Sequence, residues 1–545
     1  MVHRALTISE LIQLIVSEVP TDDGESWSRS DFPTLVALAL TCRAFHEPAL
    51  DMIWSRQDGL GNLVECLPGD LWKISDDSGK TLTLREPTRS TTQRDWERFE
   101  FYARRVRILH YGPKRIRRKS RVLSEQIFCW LFSSRPSHHL FPKLSFLGWS
   151  ENMPFEHHES VHMLFGPQLS TLHMGVWSSD FAASQAVPQV LVHLPFRSPD
   201  IHELTIHMYA NGGPDDQRLP SKVFASLIRL KSLTLLSTLP LEPDVFTALS
   251  ALPHLTEAKI TIHSGDEDAC GLLGTDHAAA PSFIFRALES LTLTFSLMSD
   301  INTILSACSL PQLRRLSLTS LYGSDSSMFD RTLQLIRDHC SHAMLEVIEL
   351  RTTIDLFPSM DFEEVPEPDT ITAASLGHLF AFRSIRELEL LTEMYIALDD
   401  DDLKEMAMSW PRLKSLQLES VAEEEPGMSV TLEGLAHLAR YCPAMNWLAI
   451  DVDTTGTFVS PDARPGGSYC NQVLQAVDFQ RSHASDCPAE IGAFLYAIFP
   501  KLQWINSHSD DTPGEDSWKP VEDMLDALRK MSQWPRNIVL TPLTT

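Results

Sequence analysis

The chain has 545 residues, with 46 Lys and Arg against 72 Asp and Glu and a formal charge of -26, so its average surface repels phosphate backbones and anionic bilayers. Nucleic acid and membrane are therefore not expected as partners. Hydrophobic residues make up 43% with only 23 Gly, enough to bury an extended core, and no run approaches the ~20 apolar residues that span a bilayer.

At the N-terminus Leu11, Ile12, Ile15, Val16 and Val19 share one side of a helix, and Thr7-x-x-Glu10 has the spacing of a capping box. The pattern predicts a helix starting near Ser9. Glu10 and Glu18 interrupt it and no small-residue cleavage site follows, so a secretory leader is not expected. After a polar stretch at residues 21–30, Leu35, Leu38, Ala39, Cys42 and Phe45 recur at helical spacing behind Pro33, a residue favoured in a first helical turn. Leu50, Ile53 and Trp54 close the segment.

Residues 6–19 as first helix, Pro33-Thr-Leu35-Val36-Ala-Leu38 as second, Cys42-Arg43-Ala44-Phe45 in place of a Cys-x-x-Trp, and the terminal Trp54 together resemble the F-box family, over roughly a tenth of the chain. Thr7, Ile8 and Ser9 stand where that family usually carries a proline. Asp95-Trp96-Glu-Arg98-Phe99 followed by Tyr102-Ala-Arg104-Arg105-Val106 is similar to the passage joining F-box to repeats in large fungal F-box proteins. The resemblance implies that Leu6, Ile8, Leu11, Ile12, Leu35, Leu38 and Trp54 present an apolar surface to a Skp-family linker subunit and, through it, to a cullin.

From Val106 onward a phrase recurs: Leu-x-x-Leu-x-Leu. It is sharpest at Leu230, Leu288, Leu313 and Leu413, with looser copies beginning at Val106, Leu144, Leu169, Ile201, Leu255, Leu345, Ile385, Met445 and Leu502, at spacings of 25 to 57 residues. That period fits one strand plus one helix, hence a solenoid. In a strand the last two Leu point into a shared core while the residue between them faces outward. Helices are predicted at residues 300–308, 329–340, 401–410, 432–442 and 489–499, three of them ending at Trp410-Pro411, Cys442-Pro443 and Phe499-Pro500, where Pro stops the helix. The Asn or Cys that usually follows the last Leu by three residues occurs once, as Asn152, so an irregular leucine-rich-repeat array without a side-chain ladder is expected. Trp518, Val521, Met524, Leu525, Leu528 and Met531 predict an amphipathic helix that caps the last repeat.

The expected fold is thus α/β: an all-α F-box-like domain (1–58), a linker and packing segment (59–105), an irregular leucine-rich-repeat solenoid (106–510) with a curved parallel sheet on its concave side and helices on its convex side, and a capping helix and tail (511–545). Outward strand positions read Thr205, Thr234, Lys259, Thr292 and Ser317, then Glu349, Glu389 and Gln417 with Glu387 close by, and this later part would favour a basic target protein.

Signals for chemistry are sparse. His158-Glu159-Ser160-Val161-His162 matches H-E-x-x-H, in which two His bind zinc and the Glu activates water, but a third ligand is missing at Phe165 and Gln168. His339-Cys340-x-His342 and the segment from Cys470 through His483 to Cys487 lack finger spacing. Lys114-Arg115-Ile-Arg117-Arg118-Lys119-Ser-Arg121 fits a nuclear-import signal or a solvated face. The acidic runs at residues 399–402 and 423–425 fit helix or strand ends. The nine single Cys, without C-x-x-C, argue against a disulfide framework and for buried thiols in a reducing, cytoplasmic or nuclear setting. The expectation is a non-enzymatic substrate-recognition adaptor of an SCF-type cullin-RING ubiquitin ligase, without cofactor or metal. The alternatives are a repeat scaffold whose N-terminal segment only caps the solenoid, and, last, a zinc hydrolase using His158 and His162.

Overall fold

The structure is a computed structural model that describes residues 8–19, 31–74, 81–84, 89–112, 122–135, 139–149, 160–178, 189–210, 221–238, 241–242, 244–263, 283–352, 369–422, 430–460, 462–467, 469–485, 487–507 and 517–533. The chain forms two compact units, Met1–Leu255 with Ile262–Ala269 and Thr256–Thr261 with Cys270–Thr545. The architecture is an α/β leucine-rich-repeat solenoid of parallel strands backed by helices.

The first unit opens with a three-helix head: α1 Ser9–Ser17, α2 Asp31–Thr41 and α3 Arg43–Ser55. Ile12 and Val16 from α1, Leu35 and Ala39 from α2 and Ala49 from α3 are buried together, with Leu38, Phe45, Met52 and Ile53 packed around them. Ile8 is the N-cap of α1 and provides no side-chain cap. The expected Thr7 to Glu10 box is therefore one position out of register, and Thr7 itself lies outside the described residues. Glu10 instead sits in the first turn, where the helix dipole favours a carboxylate.

Helix α3 runs straight into strand β1 (Arg56–Gln57), which pairs in parallel with β2 (Ile108–Tyr111). The intervening α4 (Gln93–Ala103) starts with a capping box between Thr92 and Asp95 and buries Trp96 and Phe99. Strands β3 (Phe146–Trp149), β4 (Thr171–Ser178), β5 (Glu203–Ala210) and β6 (Ser232–Ser237) continue the parallel sheet. Their register aligns Leu109, Leu147, Leu172, Leu204 and Leu233 in one row and Tyr111, Trp149, Met174, Ile206 and Leu235 in the next. All ten are buried.

The second unit repeats this rule through β7 (Glu257–Ile262), β8 (Ser290–Phe295), β9 (Arg315–Ser320), β10 (Val347–Thr352), β11 (Glu387–Thr392), β12 (Ser415–Ser420), β13 (Trp447–Ala449), β14 (Ala476–Asp478) and β15 (Trp504–Asn506). Leu291, Leu316, Ile348, Leu388, Leu416 and Leu448 pair side by side, as do Leu293, Leu318, Leu350, Leu390 and Leu418. Burying each such side chain contributes ~1.5–3 kcal/mol, and each is shared with neighbouring coils, which is why one coil alone is not a stable object. The 57-residue gap between the phrases at Met445 and Leu502 is filled by β14, whose phrase, Leu474-x-x-Val477-x-Phe479, carries a buried Val and Phe in the second and third Leu places.

Helices α5 (Met298–Ala307), α6 (Ser326–His339), α7 (Asp400–Ser409), α8 (Leu432–Tyr441) and α9 (Pro488–Ile498) fall within two or three residues of their predicted ends. The last three stop in one way. Trp410, Cys442 and Phe499 share φ between -117 and -129 and ψ between 65 and 69, because a following Pro excludes the helical region from the residue before it.

Buried hydroxyls stand at a neighbouring position to the one where an Asn ladder was sought in the sequence. Two residues after the last Leu, not three, stand Ser320, Thr352 and Thr392, all fully buried. The Thr352 hydroxyl donates to Thr392 Oγ1 at 2.8 Å, Thr392 Oγ1 accepts from the Met394 amide at 3.1 Å, and Ser320 donates to the Gly323 carbonyl at 2.9 Å. Short hydroxyls do here what longer amides do elsewhere, satisfying polar groups where strands turn away. One amide joins them: buried Asn471 donates to the Cys442 and Met445 carbonyls and accepts from the Val473 and Leu474 amides.

At the far end α10 (Lys519–Ser532) packs on α9. Trp518 is fully buried against Phe479, with ring centroids 4.6 Å apart, and donates to the Ser482 carbonyl at 2.8 Å. Glu522 accepts from the amide of Ile505 on the last strand at 3.1 Å.

Candidate interaction surfaces

Two surfaces stand out, one on the head and one on the solvent face of the second unit's sheet. The residues expected to dock a partner divide in the structure. Ile8 and Leu11 are exposed, Leu38 and Trp54 are half-buried, and Ile12 and Leu35 lie in the core of the head. Leu6 lies outside the described residues. Ile12 and Leu35 therefore hold the helices together rather than face outward. Their place on the surface is taken by Leu14, Ile15, Phe32 and Leu40, of which Leu14 is 57% and Leu40 80% exposed. Leu11, Ile12, Leu14, Ile15 and Val16 make one broad side of α1 apolar, opposite Ser9, Glu10, Gln13 and Ser17, and packing in the head buries only the Ile12 and Val16 edge of that side.

The head is fixed to the first coil by polar as well as apolar contacts. Trp54 stacks on Tyr102 of α4 with centroids 4.2 Å apart. Arg105, its side chain only 5% exposed, donates to Glu47 at 2.6 Å and to Asp51, both on α3, and its guanidinium lies 4.5 Å from the centre of the Phe101 ring. The hydrogen bond from Arg105 holds the Glu47 carboxyl below its ordinary pKa.

On the second unit's sheet the outward positions form one row, Thr292, Ser317, Glu349, Glu389 and Gln417. The predicted acidic stretch is present but largely self-paired. Arg315 reaches Glu349 at 3.3 Å and Arg351 reaches Glu389 at 2.6 Å, each from the diagonal position one strand away. Along one border of the same face Arg314 and Arg386 both meet Glu346. Exposed pairs of this kind contribute ~0–1 kcal/mol each, so they shape the charge pattern more than the stability. Glu387 is exposed and has no described ion-pair partner, while Gln417 donates to Glu419 at 3.0 Å.

The remaining chemical signals resolve into structure or fall outside the described residues. His158 and Glu159, the basic stretch at residues 114–121 and the acidic run at residues 423–425 lie outside them. His162 stacks on His193 at 4.5 Å. His342 rests edge-on against Phe382, and its Nε2 lies 2.8 Å from the Arg337 carbonyl. No group of three His, Cys, Asp or Glu among the described residues is placed to hold a metal, and no described helix is long and apolar enough to cross a membrane. Asp399 and Asp402 form a capping box at the start of α7, and Asp400 accepts from the Thr431 amide and hydroxyl of the next coil. The cysteines are less uniformly buried than expected. Cys308, Cys340 and Cys442 are buried, Cys66 and Cys470 half-buried, and Cys42, Cys129 and Cys487 exposed. Burial pushes the Cys340 and Cys442 thiols up to about 12.

No family model and no curated protein matches the chain by sequence. Among solved structures, an internalin from Listeria monocytogenes is similar at 11% identity and a TM-score of 0.31, covering 82% of this chain and 84% of its own. The leucine-rich-repeat protein LegL7 from Legionella pneumophila has 12% identity and a TM-score of 0.28, covering 72% and 98%. Rad7, solved in complex with Elc1 in yeast, is represented by a chain match of 14% identity and TM-score 0.31, covering 72% and 84%.

The head's surface was only partly visible in sequence because the apolar side of α1 is wider than the edge its neighbours cover. The pairing of the sheet's carboxylates was invisible, since Arg315 and Arg351 reach them only once parallel register sets which residues are diagonal neighbours. The period-two outward position was the signal that found the carboxylates themselves.

Proposed function

We propose that this chain is a substrate-recognition adaptor of an SCF-type cullin-RING ubiquitin ligase. In this reading the head is an F-box that docks a Skp-family subunit and through it a cullin, the repeats hold a target protein, and the chain itself is not a catalyst. It raises the effective concentration of target at the transfer machinery, in the cytoplasm, the nucleus or both. The supporting observation is the concentration of large exposed apolar side chains on the first two helices of the head: Ile8, Leu11, Leu14, Ile15, Phe32 and Leu40. Exposed apolar clusters of this kind mark protein interfaces. On the repeats, Glu387 with the Glu349, Glu389 and Gln417 row is the proposed target face, its alternating charge favouring a partner with matched basic and acidic groups.

The test is a pull-down of the full chain with a Skp-family subunit, comparing wild type with Leu14→Asp plus Leu40→Asp. Both side chains are more than half exposed, so the variant keeps its fold. Capture of wild type and loss in the variant supports the reading; failure of the folded wild type to bind ends it. The fallback is the scaffold reading, in which the head only caps the sheet. The Arg105 anchor and the run of α3 into β1 favour it, and it predicts equal behaviour of wild type and variant in the pull-down.

A further inference from the structure

A cavity of about 520 Å³ lies on the helix side of the second unit, between α8 and the segment that follows β13. That volume is within the range of small-ligand sites. Helix α8 contributes Glu433, His437 and Arg440, spaced so that they share one face, and the opposing segment contributes Phe458, Arg464 and Tyr469. Gly466 and Gly467, both at positive φ, turn the chain back on itself there. A Cβ on Gly466 would lie 2.9 Å from Ile498, so the close turn that brings Tyr469 over the cavity needs glycine.

The cations in this cavity differ from those on the sheet face. Arg314, Arg315, Arg351 and Arg386 each meet a carboxylate, whereas neither Arg440 nor Arg464 has an ion-pair partner among the described residues. Arg440 is nonetheless held in place. Its guanidinium carbon lies 5.0 Å from the centre of the Tyr441 ring and 4.6 Å from that of Tyr469, contacts that use the π faces and leave the N–H edge free. Arg464 is anchored by a single bond to the Ala497 carbonyl at 2.8 Å. Desolvation lowers the His437 pKa, so at pH 7 it is neutral and offers a hydrogen bond without charge. Phe458 is 67% exposed at the rim, an apolar platform beside two unpaired cations.

We propose that this cavity binds a phosphate monoester carried on an aromatic or apolar group. Arg440 and Arg464 would take the dianion, for which the planar fork of guanidinium is the best-matched side chain, and Phe458 and Tyr469 would take the group that bears it. Glu433 opposes binding by its charge. It stands in the first turn of α8, its amide donating to Thr431 Oγ1, where the helix dipole explains its presence without a ligand. The proposal is independent of whether the head docks a partner.

Titration calorimetry of the full chain with phenyl phosphate, inorganic phosphate and phenol tests it. Wild type is expected to bind phenyl phosphate in preference to the other two. Arg440→Gln is expected to weaken that binding about tenfold, the loss of one charged bidentate contact, and Arg440→Lys by less, because charge survives and the fork does not. Glu433→Gln is expected to tighten it about threefold by removing a nearby like charge, a gain that a purely structural residue would not give. Absence of heat with phenyl phosphate, equal affinity for inorganic phosphate, or an unchanged constant in both Arg440 variants would overturn the assignment.

Discussion

The Arg105 guanidinium donates to the Glu47 carboxylate at 2.6 Å across 58 residues of chain. It joins the third helix of the head to the first coil of the solenoid, and the arginine is the buried partner while the carboxylate faces water. Arg105→Ala removes a buried cation, two charge-assisted bonds and the contact with Phe101, whereas Glu47 is simply rehydrated. The expected loss is about 1–3 kcal/mol, read in urea as an earlier transition of the first unit with the second unchanged.

The same pair predicts a pH dependence. Because Arg105 lowers the Glu47 pKa below its ordinary 4.5, the contribution is present in full above that value and is lost as pH falls below it through the folded-state pKa. Melting temperature of the first unit should fall between about pH 5 and pH 3, and Arg105→Ala should fall less over that interval. Equal slopes would remove the pair from the account.

Leu35 and Leu40 lie five residues apart on one helix and should behave oppositely. Leu35 is fully buried and Leu40 is 80% exposed. Leu35→Ala is expected to cost about 2–5 kcal/mol and to lower helical circular dichroism. Leu40→Asp should leave stability within about 0.5 kcal/mol while abolishing capture by the Skp-family subunit.

Thr392→Val and Thr352→Val are nearly isosteric, but they leave different groups unpaired. The first strands both the Thr352 hydroxyl and the Met394 amide, while the second leaves Thr392 still bonded to Met394. Thr392→Val should cost about 1–3 kcal/mol and Thr352→Val about 0.5–1.5 kcal/mol, measured by denaturant unfolding of the full chain.

Deleting residues 508–545 removes Glu522 from the last strand and Trp518 from the coil before it. The Ile505 amide and the apolar face around Phe479 then meet water, and an unprotected strand edge recruits other edges. Concentration-dependent light scattering should appear in the deletion, and a milder form in Trp518→Ala. A deletion that stays monomeric would remove the capping role.

The solenoid was legible in sequence because one physical rule, alternate burial along a strand, is repeated at Leu291 and Leu293, Leu316 and Leu318, and Leu416 and Leu418. It blurred where the rule is met by other side chains. Val477 and Phe479 make a coil without a second Leu, and Arg56 and Gln57 make a strand with no phrase at all, paired only because α3 delivers them beside Ile108. The hydroxyl ladder escaped notice because Ser and Thr at surface strand positions are common, and only stacking reveals that these are buried. The candidate surfaces depend on which neighbours cover a side chain, and that is a property of the packed array, as Ile12 and Leu14 demonstrate two residues apart.

Because α3 passes into β1 without an intervening residue, the head is no cassette. Cutting the chain after Gln57 would strip Ile108 and Leu109 of their outer strand and leave a raw sheet edge on one fragment, while the other would keep Glu47 and Asp51 without their arginine. Any exchange of heads between such proteins must therefore carry the first coil along, and the inheritable module is the head together with the strand it lays down.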